Sequence, residues 1–173
     1  MKGPSKELCN DTCPARIRLP PGHFGQRRSL SETVRVQLLR AGAKLPFRAT
    51  ETASGFDVYA CLDGGSVRLG AHPTLVPTGI AMEIPPGFDA QLRPRSGLGA
   101  RGVLTTFGTI DADFRGELRV NMYTMSAEIE HTVYDGDRIG QIVISCLADV
   151  VFEQALVLSE TRRGAGGHGS TGR

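Results

Sequence analysis

Thr78-Gly79-Ile80-Ala81-Met82-Glu83-Ile84 is the stretch on which the fold turns. Ile80, Met82 and Ile84 fall at every second position with Gly79, Ala81 and Glu83 between or beside them, the period of a strand that buries one face. Leu118-Arg119-Val120-Asn121-Met122 alternates in the same way. Working outward, strand character recurs at residues 33–39, 56–60, 66–69, 88–93, 117–124, 128–134 and 138–146. Turn signals such as Asp63-Gly64-Gly65, Pro85-Pro86-Gly87 and Asp135-Gly136-Asp137 stand between these stretches. This many short strands at this spacing predict an all-β sandwich, jelly roll or barrel. Helix signal is thin: the glycines in Ser96-Gly97-Leu98-Gly99-Ala100-Arg101 allow only a short turn.

A chain of 173 residues is long enough for one domain with a sizeable core. Its 22 glycines and 10 prolines, with no tryptophan, fit short strands and turns better than a helix bundle. The formal charge of +2 is too small to make nucleic acid the main partner, and its distribution is more telling. Residues 1–30 hold six Lys/Arg against Glu7 and Asp11, Arg162, Arg163 and Arg173 stand at the other end, and the middle is mildly acidic. Residues 1–31, polar and without either hydrophobic period, are expected to form a flexible leader. A β domain over 32–161 and a glycine-rich arm over 162–173 complete the expected layout.

Cys9, Cys13, Cys61 and Cys146 show no disulfide framework and follow no secretory signal, so an intracellular, cytoplasmic setting is expected. Cys9 and Cys13 with His23 lack a second ligand pair, and an unstructured terminus explains them better than zinc. No apolar run is long enough to cross a bilayer, which predicts a soluble protein without a membrane partner.

Residues 162–173 read RRGAGGHGSTGR. Glycine loses more backbone freedom on ordering than any other residue, so such an arm stays mobile unless a ligand offsets the loss. Arginines, free N–H groups and the Ser170 and Thr171 hydroxyls suit a phosphate chain, although glycine-rich ends are more commonly just frayed. Upstream, Pro94-Arg95-Ser96-Gly97 places a guanidinium, a hydroxyl and a permissive glycine at a strand end, again suited to phosphate. Gly108-Thr109-Ile110-Asp111-Ala112-Asp113-Phe114-Arg115-Gly116 carries two carboxylates two apart. On an extended strand they share a face, and in a turn they diverge. Asp111 follows a branched aliphatic and suits a pocket, where it would take a proton from water. Asp113 beside Arg115 reads as a surface charge.

Five segments in order resemble the homotrimeric dUTP diphosphatases (dUTPases): residues 53–60 (ASGFDVYA), 94–98 (PRSGL), 108–116, 136–141 (GDRIGQ) and 163–172. The resemblance implies a distorted jelly roll that trimerises, with each active site shared by three subunits and closed by the arm of one. It implies magnesium-dependent hydrolysis of dUTP to dUMP and diphosphate by water attack on the α-phosphorus, which limits uracil in DNA and supplies dUMP for dTMP synthesis. By the same match, Asp111 activates the water and Asp57 reaches the magnesium through water. Arg95, Ser96, Gly97 and Gln141 hold phosphates, and Arg163, Gly167, His168, Gly169, Ser170 and Thr171 fold over the outer phosphates and the base. The hairpin 105–110, including Thr105, Gly108, Thr109 and Ile110, chooses uracil by backbone groups. Phe114 stands where the family usually has a tyrosine beneath the deoxyribose.

A dCTP deaminase, which shares the fold, would carry a glutamate ten residues beyond the aspartate matched by Asp111; here that position is Asn121, and an amide cannot act as the base. A nucleotide-sensing protein on the same scaffold is the remaining alternative, and release of dUMP from dUTP separates the two. His168 replaces the phenylalanine that the family stacks on uracil, a contact worth about 1–3 kcal/mol per base. Changing His168→Phe is expected to lower the KM for dUTP and to flatten its pH dependence near the imidazole pKa of about 6.5, as KM measured across pH would show.

Overall fold

In the computed structural model, which describes residues 32–167, Ile80, Met82 and Ile84 are all buried, as their alternation requires. Residues 1–31 and His168, Gly169, Ser170 and Thr171 lie outside the described residues. The unit to which the fold belongs runs from Thr33.

Among the described residues, eleven short strands and one helix follow in the order β1 (Arg35–Leu38), β2 (Phe56–Tyr59), β3 (Ser66–Leu69), β4 (Thr74–Pro77), β5 (Ile80–Glu83), β6 (Phe88–Arg93), α1 (Ser96–Gly99), β7 (Val103–Thr105), β8 (Gly108–Ile110), β9 (Arg119–Thr124), β10 (His131–Tyr134) and β11 (Arg138–Cys146). Every named pairing is antiparallel, in sheets ordered β2-β11-β6-β8, β4-β9-β7, β1-β5 and β10-β3. The all-β class expected from the sequence is therefore the observed one, with packed sheets of the jelly-roll kind. Val58, Val76, Ile80, Val120, Met122, Ile139 and Ile142 meet in one core drawn from β2, β4, β5, β9 and β11.

The stretch 78–84 is not one strand. Thr78 and Gly79 form the bend between β4 and β5, with Gly79 in the left-handed region at φ 67°. Glu117 holds this bend: its carboxylate accepts from Gly79 N at 3.0 Å and pairs with Arg40 at 3.0 Å and Arg119 at 3.3 Å. Thr78 Oγ1 donates to Leu118 O at 2.5 Å. A mostly buried carboxylate is costly unless paired and hydrogen-bonded, and Glu117 is both.

Beyond β11 the chain forms no further strand through Gly167. Val151, Phe152 and Leu156 on this segment are each more than nine-tenths exposed.

A Cβ at Gly79 would stand 2.9 Å from both Ala43 Cβ and Cys61 Sγ. Gly79→Ala is expected to destabilise the fold by about 1–3 kcal/mol through overpacking, with left-handed strain in addition. Denaturant unfolding monitored by circular dichroism measures it.

Candidate active site

Two groups of residues singled out from the sequence are assembled at different places. The first lies where β2, β11 and the end of β6 meet. Asp57 projects from β2 opposite Gln141 of β11. Its Oδ1 accepts from Arg95 Nε at 3.0 Å and its Oδ2 from Arg138 Nη1 at 3.2 Å, while Arg95 Nη1 donates to Arg138 O at 3.2 Å. One carboxylate thus aligns two guanidiniums and leaves the cluster with one positive charge in excess. A guanidinium has five N–H donors, so both arginines keep donors for an anion.

Arg95 is extended, at φ −95° and ψ 131°, and Ser96 after it opens α1. Ser96 and Gly97 are exposed, and a Cβ at Gly97 would meet nothing within 4 Å. The end of α1 is anchored by Leu98, which is buried in the core. Gln141 Nε2 donates to Pro94 O at 2.9 Å, keeping one N–H over. A Cβ on Gly55 would come within 2.1 Å of Gln141 Oε1, so that the amide occupies its place only because residue 55 is glycine.

The second group surrounds a cavity of about 300 Å³ lined by Gly108, Thr109, Ile110, Asp111, Phe114 and Leu75, among others. The segment expected as a hairpin over 105–110 is built differently. β7 pairs with β9 and β8 with β6, so Thr106 and Phe107 carry the chain from one sheet to another. Thr106 N donates to Asn121 O at 2.9 Å, and Thr105 is buried with its Oγ1 donating to Ile139 O at 3.1 Å. Asp111 is exposed at the cavity rim, where a turn closed by Phe114 N donating to Asp111 O begins. Asp113 is exposed, as a surface charge would be, and lines neither group.

The first group and the Asp111 position fall on one face of the sheet β2-β11-β6-β8. Ala90, Leu92, Ile110, Ile142 and Val58 point to the core. Side chains alternate along a strand, so Asp57, Gln141, Arg93, Gln91, Asp89 and Thr109 take the opposite face. The register sets their distance. Leu92 pairs with Gly108 and Ala90 with Ile110, which puts Asp111, one step on, level with Asp89. Arg95 lies two residues past Arg93, at the other end. Six residues of strand at about 3.3 Å each separate Asp111 from the arginine cluster by roughly 20 Å.

Of the arm, Arg163 Nε donates to Gly166 O at 2.8 Å in a local turn, and Gly167 follows; among the described residues neither hydrogen-bonds to the other site residues. Arg138 and Gly55, whose missing Cβ leaves room for the Gln141 amide, are not singled out by the sequence reading. Arg138 and Gly55 stand inside segments 136–141 and 53–60, which is the available signal.

Comparison with known proteins agrees with this arrangement of strands. Residues 41–172 match the model of the dUTPase family. A deoxyuridine 5'-triphosphate nucleotidohydrolase of Syntrophotalea carbinolica is 45% identical over 143 residues, covering 81% of this chain and 97% of that protein. The dUTPase of Staphylococcus bacteriophage 80alpha with dUPNHPP superposes with a TM-score of 0.75 at 24% identity, covering 83% of this chain and all of that one. A mutant dUTPase from phage phi11 of S. aureus, described with a structural Mg(II) ion, superposes with a TM-score of 0.66 at 22% identity, covering 73% and 98%. At those identities the two phage structures speak for the fold. The family match over most of the chain and the 45% identical relative decide more: this chain belongs to the dUTPase family.

Proposed function

We propose that this dUTPase-family enzyme hydrolyses dUTP to dUMP and diphosphate in sites completed between copies of the chain. The observation that carries the shared site is the placement of Arg95 and Asp111 toward opposite ends of β6. Asp111 and the Arg95 cluster are roughly 20 Å apart along one face, too far to act on the same phosphorus within one chain. A head-to-tail ring of copies brings the Asp111 end of one against the Arg95 end of the next. A trimer is the expected closed ring. The exposed Val151, Phe152 and Leu156 favour such assembly, as does an apolar groove of about 380 Å³ that includes Val34, Leu45, Phe56 and Ile144.

In this reading the Asp111 carboxylate accepts a proton from a water molecule and aims its oxygen at the α-phosphorus. A phosphorus–oxygen bond to water forms, the bond to the bridging oxygen breaks, and diphosphate leaves. Arg95, Arg138, Ser96 and the spare N–H of Gln141 hold phosphate oxygens and neutralise their charge, which is most of what phosphoryl chemistry asks of a protein. Backbone groups about the sheet crossing at 106–108 read uracil, and the Phe114 ring packs against the deoxyribose. Residues 162–173 act as the closing arm over the body 32–161, with Arg163, Gly167, His168, Gly169, Ser170 and Thr171 as its ligands.

The residues suit a magnesium ion that arrives on the triphosphate better than one caged by protein. Both Asp57 oxygens are engaged by guanidiniums, and no group of three His, Cys, Asp or Glu side chains able to hold a metal occurs among the described residues. Asp57 would then meet the ion's water shell through its remaining lone pairs. Bound there, magnesium would add neutralisation of the phosphate charge.

Asp111→Asn is expected to bind a non-hydrolysable dUTP analogue normally and to lose turnover by about 10²- to 10⁴-fold, as measured by diphosphate release. Normal turnover would remove Asp111 from its role, and binding of dUTP without product in the unaltered protein would favour a sensor. Subunit mixing tests the shared site. Inactive Asp111→Ala and Arg95→Ala chains, reassembled in equal amounts, are expected to regain activity in about a quarter of their sites, whereas a site within one chain regains none.

A further inference from the structure

Gly116 is glycine for a reason that its backbone does not supply. Its φ is not in the left-handed region, and an L-residue fits its conformation. The space beside it is what differs. A Cβ built on Gly116 would lie 2.6 Å from Phe114 Cζ, 2.9 Å from Cε2 and 3.5 Å from Cε1. Its three nearest neighbours all belong to the one ring, whose tip therefore rests on the bare Gly116 Cα.

The same ring lines a cavity. Phe114 lines the cavity that also holds Gly108, Thr109 and Asp111, while Gly116 does not reach it. Phe114 is 46% exposed, so that little besides this seat fixes how far the ring stands into the cavity. A methyl group at residue 116 would have to push the ring by about 1 Å to reach ordinary contact distance, and the ring borders both solvent and the cavity.

We infer that Gly116 is a positioning residue for substrate binding: it seats the Phe114 ring at the depth that leaves room for a deoxynucleoside between the ring and the Gly108–Asp111 segment. This rests on the reading of Phe114 as the sugar platform and extends it to the residue behind. Gly116 touches no substrate, and its effect passes through the ring. A displaced ring narrows the sugar space without moving Asp111, so the loss falls on binding and spares the chemical step.

The test is a double-mutant cycle read by steady-state kinetics with dUTP and magnesium on the full-length protein. Gly116→Ala, and Gly116→Ser as a second enlargement, are expected to leave the melting temperature within about 2 °C of the parent, because a half-exposed ring yields cheaply. Both are expected to raise KM by about tenfold or more with kcat within about threefold. In a Phe114→Leu background, where the ring tip is absent, adding Gly116→Ala is expected to change KM less than about twofold. The inference is overturned if Gly116→Ala leaves KM unchanged, or raises it equally with and without the ring. Failure of the underlying reading shows elsewhere: Phe114→Leu alone would then leave the preference for dUTP over UTP intact.

Discussion

A β-strand advances by a nearly constant step, and on β6 that step sets how far apart Arg95 and Asp111 stand. The strand carries its core side chains on one face and a polar row on the other, Asp89, Gln91 and Arg93, joined by hydrogen bonds of 3.2 and 2.8 Å. Arg95 continues from one end of this row. Asp111 stands level with the other end. Since the pairing β11-β6-β8 is fixed by the burial of Ala90, Leu92, Ile110 and Ile142, the distance cannot be closed by a local adjustment. A one-residue slip would turn every core side chain outward.

The electrostatics of the arginine end follow from the same rigidity. Arg95 and Arg138 would repel each other at this separation without a shared anion. Asp57, only 13% exposed at its side chain, needs both to offset its own desolvation. The result is a set of donors oriented before any ligand arrives, on strand ends and beside the first residue of a helix rather than on a loop. Preorganised donors lose little freedom when an anion binds.

Much of this is legible in the residues because alternation and turn chemistry are local. Ile80, Met82, Ile84, Val120 and Met122 fall into a core by period alone. β4 escapes such a reading, since its four residues follow Pro73, end in Pro77 and resemble a connection. Its ladder to β9 nevertheless buries Val76 completely. The crossing at Thr106 and Phe107 looks like a hairpin because two short strands with a two-residue link normally pair with each other. Which sheet each joins depends on β6 and β9, whose claims on them the local sequence does not express. Arg95, Asp57 and Gln141 are recognisable from their segments, but the role of Arg138 as second guanidinium depends on where Asp57 points. Gly55 and Gly116 are opaque for a related reason: nothing local to a glycine says whose side chain occupies the space that its missing Cβ leaves.

The segment after β11 bears on the life of the chain before it meets any other. With Val151, Phe152 and Leu156 almost wholly in water, a solitary copy offers an adhesive strip without regular structure to whatever it collides with. If copies assemble as proposed, association and aggregation compete for the same side chains, and both accelerate as chains accumulate.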